Sequence, residues 1–175
     1  MAWYPELKGP ALDAYRKMVA TLVAKAQKEL NLPRDEIVVR DLRPEDIGAS
    51  SADFYVGTKA TDWLALVDNA TISDNRFVGI CGVQLQDTAG TNSLGLEVEP
   101  AISQIKVTRK GAVTRYWVVK PVWSFESRVG YTDEPVTIDQ NTTVTIEAWA
   151  RTASSLKGFT LLGAVAEKRG LLVNP

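Results

Sequence analysis

Residues 135–150 read Pro-Val-Thr-Ile-Asp-Gln-Asn-Thr-Thr-Val-Thr-Ile-Glu-Ala-Trp-Ala. Val144, Ile146, Ala148 and Ala150 alternate with Thr143, Thr145, Glu147 and Trp149. Side chains alternate across an extended chain, so the stretch predicts a half-buried strand with the aliphatic set inward. Val136 and Ile138 give the preceding segment the same step, and together the two read as a β-hairpin. Pairing Ile138 with Val144 leaves a five-residue loop and keeps both apolar sets on one face. A three-residue loop also matches the faces, whereas a slip of one residue turns every side chain over.

Working outward, similar short apolar runs recur. Residues 36–42, 54–56, 63–67 and 76–86 predict strands, the last with Gly79 and Gly82 inside it. Internal glycines point to a bulge or a close approach. Residues 68–75 read as turns, 87–93 as a loop and 94–98 as an alternating strand. Residues 102–109 and 113–119 predict a second hairpin around Lys110-Gly111. In that register Ile105 faces Tyr116 and Val107 faces Thr114, and the opposite face carries Lys106, Arg115 and Trp117. Residues 122–125 continue as strand after Pro121, and residues 159–166 are apolar on both faces, as in a doubly buried strand.

The amino-terminal part has another period. From Pro10, Leu12, Tyr15, Val19, Leu22, Ala26 and Leu30 recur at steps of three and four, an amphipathic helix stripe. Asp13 and Lys28 suit its dipole, and Leu32-Pro33 ends it. Arg16, Lys17, Lys25 and Lys28 make its polar side basic. The expectation is a helix lying on a sheet or a neighbouring subunit rather than on a membrane surface. The whole predicts a mainly β chain: a single jelly-roll β-barrel or sandwich of about eight to ten strands with an N-terminal amphipathic helix. One domain is expected over 1–175, with an arm and helix at 1–33 and a β-barrel at 34–175.

Composition narrows the chemistry. The chain has 175 residues, 45% apolar and 23% charged, with a net charge of −1. Near-neutrality offers no footprint for a nucleic-acid partner. There is no histidine, which removes Ser-His-Asp, Cys-His and histidine-ligated metal sites, including those of the metal-dependent cupins. The lone cysteine, Cys81, sits in an apolar run and reads as a buried, inert thiol. The N-terminus lacks the pattern of a signal peptide, so synthesis in a cytoplasm is expected. No catalytic residue, metal ligand or cofactor site is expected. Glu97 and Glu99 share a strand face but lack a third ligand, and read as a solvated face. Asp68, Asn69, Asp74 and Asn75 lack calcium-loop spacing and read as turn residues. The candidate interface residues are Trp117, Trp149, Phe159, Leu161 and Leu162. Trp63 reads as core, and aromatics on otherwise polar faces mark an interface or a sugar platform.

The 136–150 segment and the apolar Phe-Thr-Leu-Leu-Gly-Ala-Val-Ala-Glu-Lys-Arg-Gly of 159–170, with the overall length, resemble a family. It is the smaller major capsid protein of tailless icosahedral bacteriophages with an internal membrane, such as those infecting Thermus. The resemblance implies an upright jelly roll with a structural role in the virion. It also implies a homodimer or larger self-assembly, a second and larger capsid protein as partner, and contact with an internal membrane. The alternatives are a carbohydrate-binding β-sandwich module and, third, a jelly-roll enzyme using only carboxylates. The apolar faces of 159–166 need covering, which the sequence assigns to a second subunit ahead of the chain's own helix.

Overall fold

The structure, a computed structural model, describes residues 1–49, 54–56, 62–85, 102–150 and 157–171, with backbone alone at 55–56 and 157–158. The elements run β1 (Trp3–Tyr4), α1 (Gly9–Leu30), β2 (Ile37–Asp41), β3 (Tyr55–Val56), β4 (Asp62–Thr71) and β5 (Arg76–Leu85). There follow β6 (Ile102–Arg109), β7 (Arg115–Val118), β8 (Val129–Ile138), β9 (Thr143–Ala150) and β10 (Lys157–Lys168). The strands form two antiparallel sheets, β1-β8-β5-β10-β2 with β3 on β10, and β4-β9-β6-β7.

Setting aside the two-residue strands β1 and β3, eight strands remain, and in chain order they can be lettered B to I. The sheets then read G-D-I-B and C-H-E-F, the interleaved order of a jelly roll. The expected fold class holds, as an open sandwich rather than a closed barrel. Among the described strands, β6 and β7 are the consecutive pair that hydrogen-bonds within one sheet.

Residues 135–150 are therefore not a hairpin. Ile138 pairs with Val78 in one sheet, while Val144 pairs with Ala70 and Arg109 in the other. The chain crosses the sandwich between them. Both segments still point inward: Val136, Ile138, Val144, Ile146, Ala148 and Ala150 are all buried. The crossing is held by the β4–β5 turn. The Asn141 N–H donates to the Ile72 carbonyl (2.9 Å), the Ile72 N–H to the Thr142 carbonyl (3.1 Å), and the Asn75 N–H to Gln140 Oε1 (2.8 Å). Asn75 and Asn141 both take positive φ, which asparagine tolerates.

Other bounds shift for local reasons. β8 starts at Val129 and passes through Pro135, where its register against β5 jumps between the Ile80–Val136 and Gly82–Tyr131 pairs. The proline's missing N–H falls in that irregularity, where no ladder bond is lost. Residues 120–124 form a 3-10 helix with Pro121 in its first turn, not the expected strand. β4 runs on through Asn69-Ala70-Thr71, which the sequence read as turn.

α1 packs on the outer face of the larger sheet. Its buried side is Ala11, Met18, Leu22, Val23 and Ala26, with Tyr15, Val19 and Leu30 flanking, so the stripe is rotated from the expected one. Asp13 lies beyond the first turn, and Asn31, in the left-handed region, caps the end before Pro33 is reached. The helix rests on Ile37, Phe77, Cys81, Ala164 and Ala166. Gly79 gives it room: a Cβ there would lie 2.6 Å from Met18 Sδ. Lys25 bonds Asp139 (2.6 Å), tying the helix to the β8–β9 turn.

This placement answers the question posed by β10. Phe159, Leu161 and Val165 point into the sandwich core, and Ala164 and Ala166 lie under α1. Both faces are covered within the chain, so the strand gives no ground for a second subunit, contrary to the sequence expectation. Gly163 marks the tightest strand contact, because a Cβ there would collide with the Gly79 carbonyl on β5.

Beside the core of the larger sheet sits a closed group of charges. Arg40 on β2 binds Glu167 on β10 (Nε–Oε1 2.8 Å) and Asp46 (Nη2–Oδ1 2.6 Å, Nη1–Oδ2 2.7 Å). Arg76 on β5 reaches the same Glu167 (3.0 Å). Asp46 also accepts the Arg43 N–H (2.8 Å), fixing the 3-10 turn Pro44–Ile47. Asp46 and Glu167 are buried, and two acids face two guanidinium groups.

Candidate functional site

The two outer faces of the sandwich differ. α1 covers the larger sheet, whereas no described element covers the outer face of β4-β9-β6-β7. Register decides what lies on that face. Trp63 pairs with Trp149, Lys106 pairs with Glu147 on one side and Tyr116 on the other, and Gln104 pairs with Trp149 and Val118. These residues stand outward because their strand neighbours Ile105, Val107, Ile146 and Ala148 stand inward.

The result is an aromatic group whose rings come from three of the four strands. Trp63 and Trp149 meet edge to face, centroids 5.5 Å apart at 71°. Trp63 and Tyr116 meet at 6.1 Å and 67°. Lys106 Nζ lies 4.6 Å from the Trp63 ring centroid and 2.5 Å from Glu147 Oε2. Tyr116 is 56% exposed and Val118 46%. An ion pair clamped among aromatic rings, bordered by exposed apolar residues, has the composition of a protein contact surface.

The candidate residues divide accordingly. Trp149 is on this face. Trp117 is not: it is 2% exposed, inside the core, with Trp3 packed edge-on at 6.0 Å. The cause is a slip of one residue, since Ile105 pairs with Trp117 rather than with Tyr116. A slip of one exchanges faces, sending Trp117 inward and Tyr116 outward. The Trp3 indole N–H then donates to the Val118 carbonyl (2.8 Å) at the sheet edge. Phe159 and Leu161 are core residues, and Leu162 is half-buried on the helix side of β10. Trp63, expected in the core, belongs to the outer cluster. Its run Trp-Leu-Ala-Leu-Val is apolar on both faces, and an irregularity between Ala65 and Val67 breaks its alternation. Tyr116 was missed; the signal was the long Lys110–Thr114 connection, which sets the slipped register.

The other candidates hold no reactive group. Glu97 and Glu99 fall outside the described residues. Asp68 accepts from Asn69 Nδ2 (2.8 Å), so the two side chains bond each other, and the Asn69 N–H donates to Thr145 Oγ1 (3.0 Å). Cys81 lies under α1, its Sγ donating to the Leu162 carbonyl (3.4 Å), and burial pushes its thiol up to about 12. Among the described residues no three of His, Cys, Asp and Glu are grouped to hold a metal ion. Among the described residues no helix is long and apolar enough to cross a membrane.

Comparison with known proteins adds little. No family model matches the chain, and no curated protein matches it. Among solved structures it is similar to the functional form of the mosquito-larvicidal Cry4Aa toxin from Bacillus thuringiensis, at 7% identity and a TM-score of 0.33. That similarity covers 74% of this chain and 23% of the toxin chain. A superposition this loose leaves the fold resting on the strand order described above.

Proposed function

We propose that the chain is a structural subunit of a virus capsid, a jelly roll that packs beside copies of itself and a second, larger capsid protein. The observation that carries this reading is the outer face of β4-β9-β6-β7, which no described element covers. Trp63, Trp149, Tyr116 and Val118 gather there, while α1 seals the opposite face. Contiguous exposed apolar surface on a folded chain marks an interaction site. The Lys106–Glu147 pair gives the patch one charge of each sign, so a two-fold axis passing between them would set each charge against its opposite on the copy. The jelly roll also hosts lectins and cupins, so the fold alone does not choose among these functions.

The carbohydrate-binding alternative uses the same rings. Sugar stacking favours an open, flat ring face. Here the two tryptophans stand edge to face and Lys106 lies over Trp63, which fits a packed contact better than a platform. Electron microscopy of the concentrated protein, alone and with candidate larger capsid proteins, separates the two. The capsid reading expects ordered sheets or particles. Dispersed single subunits that bind a glycan, with binding lost on Trp149→Ala, would favour the sugar module instead.

A further inference from the structure

A cleft of about 340 Å³ opens beside Tyr15 in the N-terminal half of α1, against the larger sheet. Its walls carry Tyr15 from α1, Tyr131 from β8 and Asp41 from the end of β2, over a floor that includes Leu162 and Cys81. Asp41 is the one charged residue in the lining. Its carboxylate is exposed and pairs with no cation among the described residues; the neighbouring Arg40 is turned to Asp46 and Glu167 on the other face of the sheet. Burial raises the pKa of both tyrosines, with the charge of Asp41 adding to the effect, so both rings are neutral phenols at physiological pH.

We propose that this cleft binds an organic cation, an alkylammonium or guanidinium headgroup. Two electron-rich rings and an unpaired carboxylate above an apolar floor are the elements that recognise such a group. The ring faces attract the positive charge, the carboxylate neutralises it, and the floor takes the alkyl stem. An anion would meet Asp41 with no basic group in the lining to offset it. The volume lies at the small end of ligand pockets, enough for a headgroup and a short stem. This inference does not depend on the capsid reading, because the cleft lies on the opposite sheet from the aromatic face.

Isothermal titration with n-butylammonium, with n-butanol as the neutral control, tests it. The amine should bind saturably and the alcohol should not. Asp41→Asn should weaken binding by about tenfold or more, the loss of a charge-assisted contact. Tyr15→Phe, which keeps the ring, should leave binding within about threefold, whereas Tyr15→Leu should weaken it further. Circular dichroism and melting curves establish that each variant is folded. A blocked Gly-Arg-Gly peptide forms the second arm. Tighter binding of the peptide assigns the cleft to a basic side chain of a partner protein, and equal or tighter binding of the free amine assigns it to a small molecule. The proposal is overturned if neither cation binds, if butanol binds equally well, or if folded Asp41→Asn binds as tightly as the unaltered protein.

Discussion

Glu167→Gln is expected to destabilise the fold by about 3–5 kcal/mol, the cost of removing one partner from a buried ion group. The substitution keeps shape and volume and removes only charge. Arg40 and Arg76 then share a single buried carboxylate, Asp46, and Arg40 loses its charged partner at 2.8 Å. For a chain of this size the loss corresponds to a fall in melting temperature of roughly 6–20 °C. Urea denaturation should show a lower midpoint with an unchanged slope. The pKa of Arg40 is raised, chiefly by its bonds to Asp46. A cation with a raised value contributes its stability fully below its unfolded pKa, so the Arg40 contribution stays constant through the working pH range. Replacing all four charged residues together by apolar residues of similar volume should cost less than Glu167→Gln alone, because no unpaired charge is left and the main loss is the Asp46 bond to the Arg43 N–H. If Glu167→Gln melts with the unaltered protein, the group is not the closed, buried unit described.

Ile146→Ala should cost about 2–5 kcal/mol, since Ile146 is completely buried at the centre of β9 and truncation leaves a cavity. Its neighbour Thr145 points to the opposite, open face and accepts one hydrogen bond from the Asn69 N–H. Thr145→Ala should therefore cost about 1 kcal/mol or less. Chemical denaturation of the two variants compares the two faces of one strand directly. Equal losses would mean that the open face is buried too, and the surface assigned to assembly would not exist.

The inward faces of β8 and β9 were legible in the sequence, and their partners were not. Alternation in residues 136–150 placed Val136, Ile138, Val144 and Ile146 inward, as the structure has them. The same alternation is satisfied whether consecutive strands pair or cross to opposite sheets, so the apparent hairpin concealed a crossing. Register failed where it rested on a turn. Taking Lys110-Gly111 as the whole turn put Ile105 opposite Tyr116, and the longer connection moved it by one. That error exchanged Trp117 for Tyr116 in the candidate site. Trp63 was hidden because β4 is apolar on both sides and only pairing with Trp149 reveals its direction. The cover over β10 was equally unreadable. A helix stripe names roughly which side is buried, here rotated by the packing, and the sheet that receives it is a tertiary fact.

Sedimentation velocity at micromolar concentration tests the central claim, that the open aromatic face is where copies of this chain meet. The unaltered protein should sediment as a dimer or larger species. Tyr116→Glu combined with Val118→Lys, both at exposed positions, should return it to monomer without lowering its melting temperature. An unaltered protein that stays monomeric, or a double variant that associates as strongly as the parent, would contradict the account.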